Sequence, residues 1–285
     1  MRTHIRECWA LLFLLLLVGL AGCGPEKKGG AENPVVFDSI RVEKVYHLLD
    51  NPDNPNCDLE IKFVYPSGYA DKERLAELQR LFVTAYFGES YAGMSPEEAT
   101  SAYAADYLAA YKDLEGDFKR EMARKPDEGA VGAWFSYYEM SYDEIAYNRD
   151  GIISYTVSFE NYTGGAHGAH AYNNHVIDLS TGKPVTEEEI FVDNYQESLA
   201  QVLVDRIAAG NNVEEAKELE NIGFFSVDEI FPNGNFLVDD TGITYFFNEY
   251  EIAAYAVGCV TVRLPYKEIR HLMRDDSPIR QLIDN

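Results

Sequence analysis

Cysteine is scarce in this 285-residue chain: there are four, and no two stand in a Cys-x-x-Cys pair. That scarcity excludes a disulfide-dense scaffold, a Cys-based zinc site and a thioredoxin-like redox pair. Basic residues are few as well. There are 24 Lys plus Arg against 48 Asp plus Glu, a net charge of −24, and no basic cluster runs against that average. Such a surface repels phosphate backbones, so nucleic acid is not expected as a partner. No Gly-x-Ser-x-Gly elbow, His-Glu-x-x-His helix or phosphate-binding loop occurs, and acids are too abundant for any carboxylate pair to stand out as a general acid and base. No catalytic residue, metal or cofactor is therefore expected. What the chain does have is 46% apolar and 13% aromatic residues, enough for a substantial core, which excludes disorder as its main state.

The apolar residues are concentrated at the start. Arg2, His4 and Arg6 form a short basic opening, and Trp9 to Leu20 is an almost unbroken apolar run. That run has the length of a signal-peptide core and is too short to cross a bilayer. It ends in Leu20-Ala21-Gly22-Cys23, which looks like a bacterial lipobox, with residues 1–22 as the signal peptide and Cys23 as the acylated residue. An ordinary secretory signal with a chance cysteine is the alternative. Two or three acyl chains, at about 0.8 kcal/mol per buried CH₂, would hold the protein on a membrane surface without crossing it. Cleavage removes Arg2, Arg6 and Glu7 and leaves 22 basic against 47 acidic residues, a net of −25. The expected location is the bacterial cell envelope, facing the periplasm or the cell surface. Residues 23–40 read as a tether, because Gly24 to Pro34 holds three glycines and two prolines without apolar period.

Beyond the tether, strand and helix patterns are mixed. Leu59, Ile61, Phe63 and Tyr65 alternate with polar residues, predicting a strand that Pro66-Ser67-Gly68 stops. Leu75, Leu78, Leu81, Phe82 and Ala85 form a helical stripe that Gly88 ends. Ser95, Pro96 and Glu98 make a capping box, and the apolar spacing from Tyr103 to Met122 predicts one long helix behind it. Aromatic-rich Trp134 to Tyr147, the turn Asn148-Arg149-Asp150-Gly151 and alternating Ile153 to Phe159 predict a hairpin with one wet face. A strand through Ile177, a capped turn at Thr186 and Glu189, and a helix carrying Leu199, Val202, Leu203 and Ile207 follow. Strands at 235–238, 243–247 and 260–264 and a helix at 266–273 close the pattern. The fold class is α+β, with mainly antiparallel sheets packed against amphipathic helices. Two closely associated subdomains are expected, 41–182 and 183–274, with a tail at 275–285.

Three stretches resemble a known family. They are the Leu59–Tyr65 strand with its trailing Tyr65-Pro66, the stretch from Tyr162 to Gly168, and Ile177 to Lys183. Together with Phe231 to Phe236, Asp240 to Ile243, Phe246 to Gly258 and Val260 to Pro265, they are similar to the extracytoplasmic domain shared by RsiV-type anti-sigma factors and PdaC-type peptidoglycan deacetylases. The likeness runs from about residue 57 to 273. RsiV-type proteins carry a sigma-binding segment and a spanning helix ahead of this domain, and PdaC-type enzymes carry a separate catalytic domain; neither has a counterpart in this sequence. The resemblance implies a non-catalytic binding domain. In the RsiV branch the domain binds lysozyme, a strongly basic protein, and an acidic surface would steer a cationic partner in the same way.

The candidate ligand surface is the Tyr-rich region around Tyr250 and Tyr255 together with the Gly164 to His170 bend, in which Gly165 and His167 are the named residues. Packing of the same residues is the competing reading. His167, His170 and His175, with Glu160 upstream, invite a metal test, but in an extended chain His170 points away from the other two. After lipidation of Cys23 the remaining thiols are Cys57 and Cys259, and an exported compartment lets them pair, so a disulfide and two independent thiols both remain open. The expected function is recognition of an exported protein, cationic in the manner of lysozyme, or of peptidoglycan. A cell-wall sugar enzyme and a purely structural envelope module are the alternatives.

Overall fold

A computed structural model describes residues 30–124 and 128–283. The signal peptide, Cys23 and the tether as far as residue 29 lie outside the described residues. Residues 31–285 form one compact unit.

A six-stranded sheet dominates the unit. Its strands lie in chain order: β1 (Val36–His47), β2 (Asn56–Gly68), β3 (Tyr137–Arg149), β4 (Ile152–Tyr162), β5 (Ala169–Asp178) and the short β6 (Lys183–Pro184). Neighbours run antiparallel except β2 and β3, which are parallel. A parallel pair needs a long crossover. Here four helices supply it: α1 (Lys72–Phe87), α2 (Pro96–Lys112), α3 (Glu115–Ala123) and α4 (Glu128–Phe135).

The helices cover one sheet face because the strand period puts Leu59, Ile61, Phe63 and Tyr65 of β2 on the same side as Ile153, Tyr155 and Val157 of β4. Against them α1 lays Leu78, Phe82, Val83, Tyr86 and Phe87, and Phe82 stacks on Tyr155 with ring centroids 4.0 Å apart. Asp71 starts α1 by accepting from the amides of Glu73 and Arg74, and Gly88 ends it at φ +96°. The Ser95–Glu98 capping box is formed as expected.

The single long helix expected from Tyr103 to Met122 is instead two, α2 and α3, broken at Asp113 and Leu114. The reason is a change of destination. Tyr111 is pinned by a 2.5 Å hydrogen bond to the Phe135 carbonyl, and Glu115 accepts from Tyr46 Oη at 2.6 Å and from the Leu49 amide. Bending there lets Phe118 join a separate small core with Leu48, Cys57 and Tyr111. Trp134 and Phe135, expected in a strand, end α4.

The second half forms another core. A three-stranded antiparallel sheet of β7 (Phe236–Val238), β8 (Gly242–Phe247) and β9 (Val260–Pro265) packs with α5 (Glu187–Ile190), α6 (Gln196–Gly210), α7 (Tyr266–Ile269) and α8 (Arg280–Ile283). Ile152 and Val176 of the large sheet join this core. The wet face expected on β4 is therefore largely dry: Ser154 and Ser158 are buried, and Ser154 Oγ donates to the Val238 carbonyl at 2.8 Å. Alternation in β4 marks two buried faces, one under helices and one under β7.

Both ends of the folded unit differ from expectation. The tether does not reach residue 40, because β1 begins at Val36 and Ala31 is already fixed by two hydrogen bonds to Asp150 in the β3–β4 turn. The Asn33 side chain adds bonds to the Gly151 amide and the Ile152 carbonyl. The stretch expected as a tail is packed as far as it is described: Ile279, Leu282 and Ile283 are buried in the second core. Cys57 and Cys259 do not form a disulfide. Both thiols are free, Cys57 buried in the small core and Cys259 half-buried at the entry to β9. No helix among the described residues is long and apolar enough to cross a membrane.

Candidate functional site

Gly164 and Gly165 carry φ of +89° and +112°, backbone that favours glycine, and fold the β4–β5 connection back on itself. Tyr162 Oη donates to the Gly165 carbonyl at 2.9 Å and fastens the bend. Gly168 is needed for a different reason: a Cβ there would sit 2.9 Å from the Asn161 carbonyl oxygen and 3.0 Å from Tyr138 Oη. The bend delivers His167 to the loop between β8 and β9, which contributes Tyr250 and Tyr255.

The three candidate rings do meet. His167 stacks on Tyr255 with centroids 3.8 Å apart and planes 22° from parallel, and Tyr250 lies 5.8 Å from Tyr255. Nδ1 of His167 donates to the Gly168 carbonyl at 2.7 Å, which leaves Nε2 to accept from Tyr250 Oη at 3.3 Å. Tyr250 is 57% exposed and holds φ +66°, a left-handed backbone unusual for an aromatic residue. Gly165 shapes the bend through its backbone and adds no ring or charge to the stack.

Four residues border the stack: His170 and Glu160, which the sequence offers only as metal candidates, and Tyr138 and Glu249, which it does not single out. His170 Nδ1 donates to Glu249 Oε1 at 3.0 Å, its backbone amide faces the other Glu249 oxygen at 3.3 Å, and Nε2 lies 3.8 Å from Glu160. Tyr138 Oη donates to Glu160 at 3.1 Å. Desolvation raises the Tyr255 hydroxyl above its ordinary range, with the Glu249 and Glu160 carboxylates adding to the effect. The site is thus a shelf of three rings bordered by two carboxylates, whose basic partner among the described residues is His170. Glu249 carries no local sequence signal, since 79 residues separate it from His170.

His170 and His175 point to opposite faces of β5, in keeping with strand parity. His175 stacks on Tyr155 in the helix-covered core, and burial pushes it down to about 4. Among the described residues no three His, Cys, Asp or Glu converge as a metal site. Burial pushes the thiols of Cys57 and Cys259 up to about 11, so both are protonated and poor nucleophiles near neutral pH.

Residues 53–170 match the family described as deacetylase PdaC, and residues 188–267 match a protein family of unknown function, DUF3298. The crystal structure of a DUF3298 member from Bacteroides fragilis NCTC 9343 is 31% identical, covers 90% of this chain and 100% of its own, and superposes with a TM-score of 0.84. The chain belongs to the DUF3298 family. A second DUF3298 structure, from Pseudomonas aeruginosa PAO1, is 15% identical over 86% of this chain and 97% of its own at a TM-score of 0.55, a likeness of fold. No curated protein matches. The DUF3298 match spans α6, all three strands of the small sheet and the loop bearing Glu249, Tyr250 and Tyr255; the PdaC match ends at His170. The shelf therefore draws side chains from both matched regions.

Proposed function

We propose that this DUF3298 chain is a lipid-anchored domain of the bacterial cell envelope that binds and does not catalyse, and that its shelf captures a cationic exported protein of the lysozyme kind. One observation carries the reading. Glu160 and Glu249 border an exposed aromatic stack, on a chain of net charge −24. Rings of this kind attract a Lys or Arg side chain through their faces, and the two carboxylates add charge attraction. The wider acidic surface accelerates encounter with a basic partner. The lipobox at Cys23 and the PdaC match support the envelope setting.

The test is capture of hen lysozyme by the full-length protein in detergent across a salt series. Binding is expected at about 50 mM salt and release by about 500 mM, where the screening length has shrunk to a few ångströms. The variants Tyr250→Ala and Glu249→Gln should each weaken capture about tenfold. Salt-independent capture, or capture indifferent to both changes, would overturn the reading.

A further inference from the structure

A second feature shares the face of the large sheet that the small sheet covers. Strand register places Tyr142 of β3 opposite Ser158 of β4, and Ser158 opposite Tyr172 of β5; one register step along, Glu144 lies opposite Thr156. The small sheet stops short of this corner. Between the two sheets it leaves a hollow of about 310 Å³, lined by these five residues, by Phe246 of β8 and by the aliphatic side chains of Ala146 and Leu237. The shelf lies farther along the same face, beyond the row of Met140, Glu160 and His170.

The lining offers polar groups that no protein partner occupies. Among the described residues the hydroxyls of Tyr142, Ser158 and Tyr172 make no hydrogen bond, and the Glu144 carboxylate has neither a hydrogen bond nor an ion pair. Ser158 lies at the floor of the hollow and is 5% exposed. Thr156 is the exception, since it donates to Asn174 Oδ1 at 2.6 Å and is left with acceptor capacity only. Around these groups stand three rings: Tyr172 and Phe246 lie 6.4 Å apart at 43°, and Tyr142 is 46% exposed at the mouth.

We infer that this hollow is a binding subsite for one neutral pyranose ring. Its volume lies at the small end of the ligand-pocket range, about 300–1,000 Å³. Aromatic faces accept the apolar C–H faces of a sugar, while hydroxyls that both donate and accept match a ligand made of hydroxyls. Glu144 can accept two sugar hydroxyls in a strong charge-assisted pair. No Lys or Arg lines the hollow, so a uronate or a sugar phosphate would bring uncompensated charge against Glu144. A purely apolar ligand would strand the three hydroxyls. The subsite does not depend on the shelf's role as a protein-capture surface.

Saturation-transfer NMR on the full-length protein in detergent tests it, with the methyl pyranosides of glucose, galactose and mannose, N-acetylglucosamine, and glucuronate. At up to about 20 mM sugar, enough to saturate a site with Kd near 1 mM, at least one neutral sugar should receive magnetisation and glucuronate should not. Tyr142→Ala should weaken that binding at least tenfold, and Glu144→Arg, an exposed change that fills the hollow, should abolish it; circular dichroism checks that each is folded. Tyr250→Ala should leave sugar binding unchanged while weakening lysozyme capture, which separates failure here from failure of the shelf. Absence of transfer to every neutral sugar, equal transfer in Glu144→Arg and wild type, preference for glucuronate, or displacement of the sugar by a short basic peptide would each overturn the assignment.

Discussion

The side chain of Asp143 accepts a hydrogen bond from the Val64 amide at 2.6 Å, just beyond the last paired residues of β2 and β3, and so replaces a missing rung of the parallel ladder. Its other oxygen is buried without a partner, and burial pushes the carboxyl up to about 8. The unfolded chain releases this proton near the ordinary value of 3.8, while the folded chain keeps it to about pH 8. Between those values the folded state binds more protons, so this residue makes stability fall as pH rises.

Asp143→Asn removes that slope. Relative to wild type, its stability should improve by on the order of 3 kcal/mol between pH 5 and pH 8, given about 1.4 kcal/mol per pH unit of linkage. Urea melts at the two pH values measure it. A stability difference between variant and wild type that stays constant with pH would mean that the carboxyl titrates normally.

His175 acts in the opposite sense. With its folded value lowered to about 4 against an ordinary 6.5, the unfolded chain binds the extra proton between them, and stability is lost as pH falls through that window. His175→Phe, which keeps a ring against Tyr155, should flatten the acid limb of the stability curve below about pH 6. An unchanged acid limb would place the ring in solvent.

Ser154 joins the two sheets. Its hydroxyl donates to the Val238 carbonyl at 2.8 Å and receives the Val238 amide at 3.3 Å, all of it buried. Ser154→Ala strands both groups and should cost about 1–3 kcal/mol, read as a lower urea midpoint with an unchanged slope. A loss below about 0.5 kcal/mol would show that the β4–β7 contact does not depend on this bond.

Tyr250 holds a left-handed backbone, which costs a non-glycine residue about 1 kcal/mol. Tyr250→Gly should therefore melt within about 2 °C of wild type, since relief of that strain offsets the entropy glycine adds to the unfolded chain. Lysozyme capture should nonetheless weaken about tenfold, as for Tyr250→Ala. A variant that both unfolds and stops binding would make the ring a packing residue.

Radiolabelled fatty acid should enter the wild-type protein and not Cys23→Ala. Equal labelling of the two would remove the proposed anchor.

Local chemistry made several elements legible from sequence alone. The capping boxes at Ser95 and Thr186, the apolar alternation of β2 and the Asp150-Gly151 turn each rest on contacts within a few residues, and all are found. What escaped depends on distant partners. β1 is an edge strand exposed along most of its length, so it lacks the apolar alternation that marks a half-buried strand. The Tyr103–Met122 stripe reads as one helix because spacing does not say that Tyr111 and Phe118 belong to a different core from Ala104. Ser154 looks like a solvent residue until β7 is placed over it. At the shelf, His167, Tyr250 and Tyr255 could be named from their neighbourhoods, and Glu160 stood out beside His170. Glu249 and the hollow at Tyr142 arise only once β8 and its loop are set against β5.

The hydrogen bonds that hold Ala31 to the β3–β4 turn fix where the chain enters the folded body. From that turn β4 runs 11 residues, about 35 Å at the usual strand rise, before reaching the connection that carries His167. Ala31 and the ring shelf therefore sit at opposite ends of β4. The strand thus acts as a strut of fixed length between the chain's point of entry and its rings.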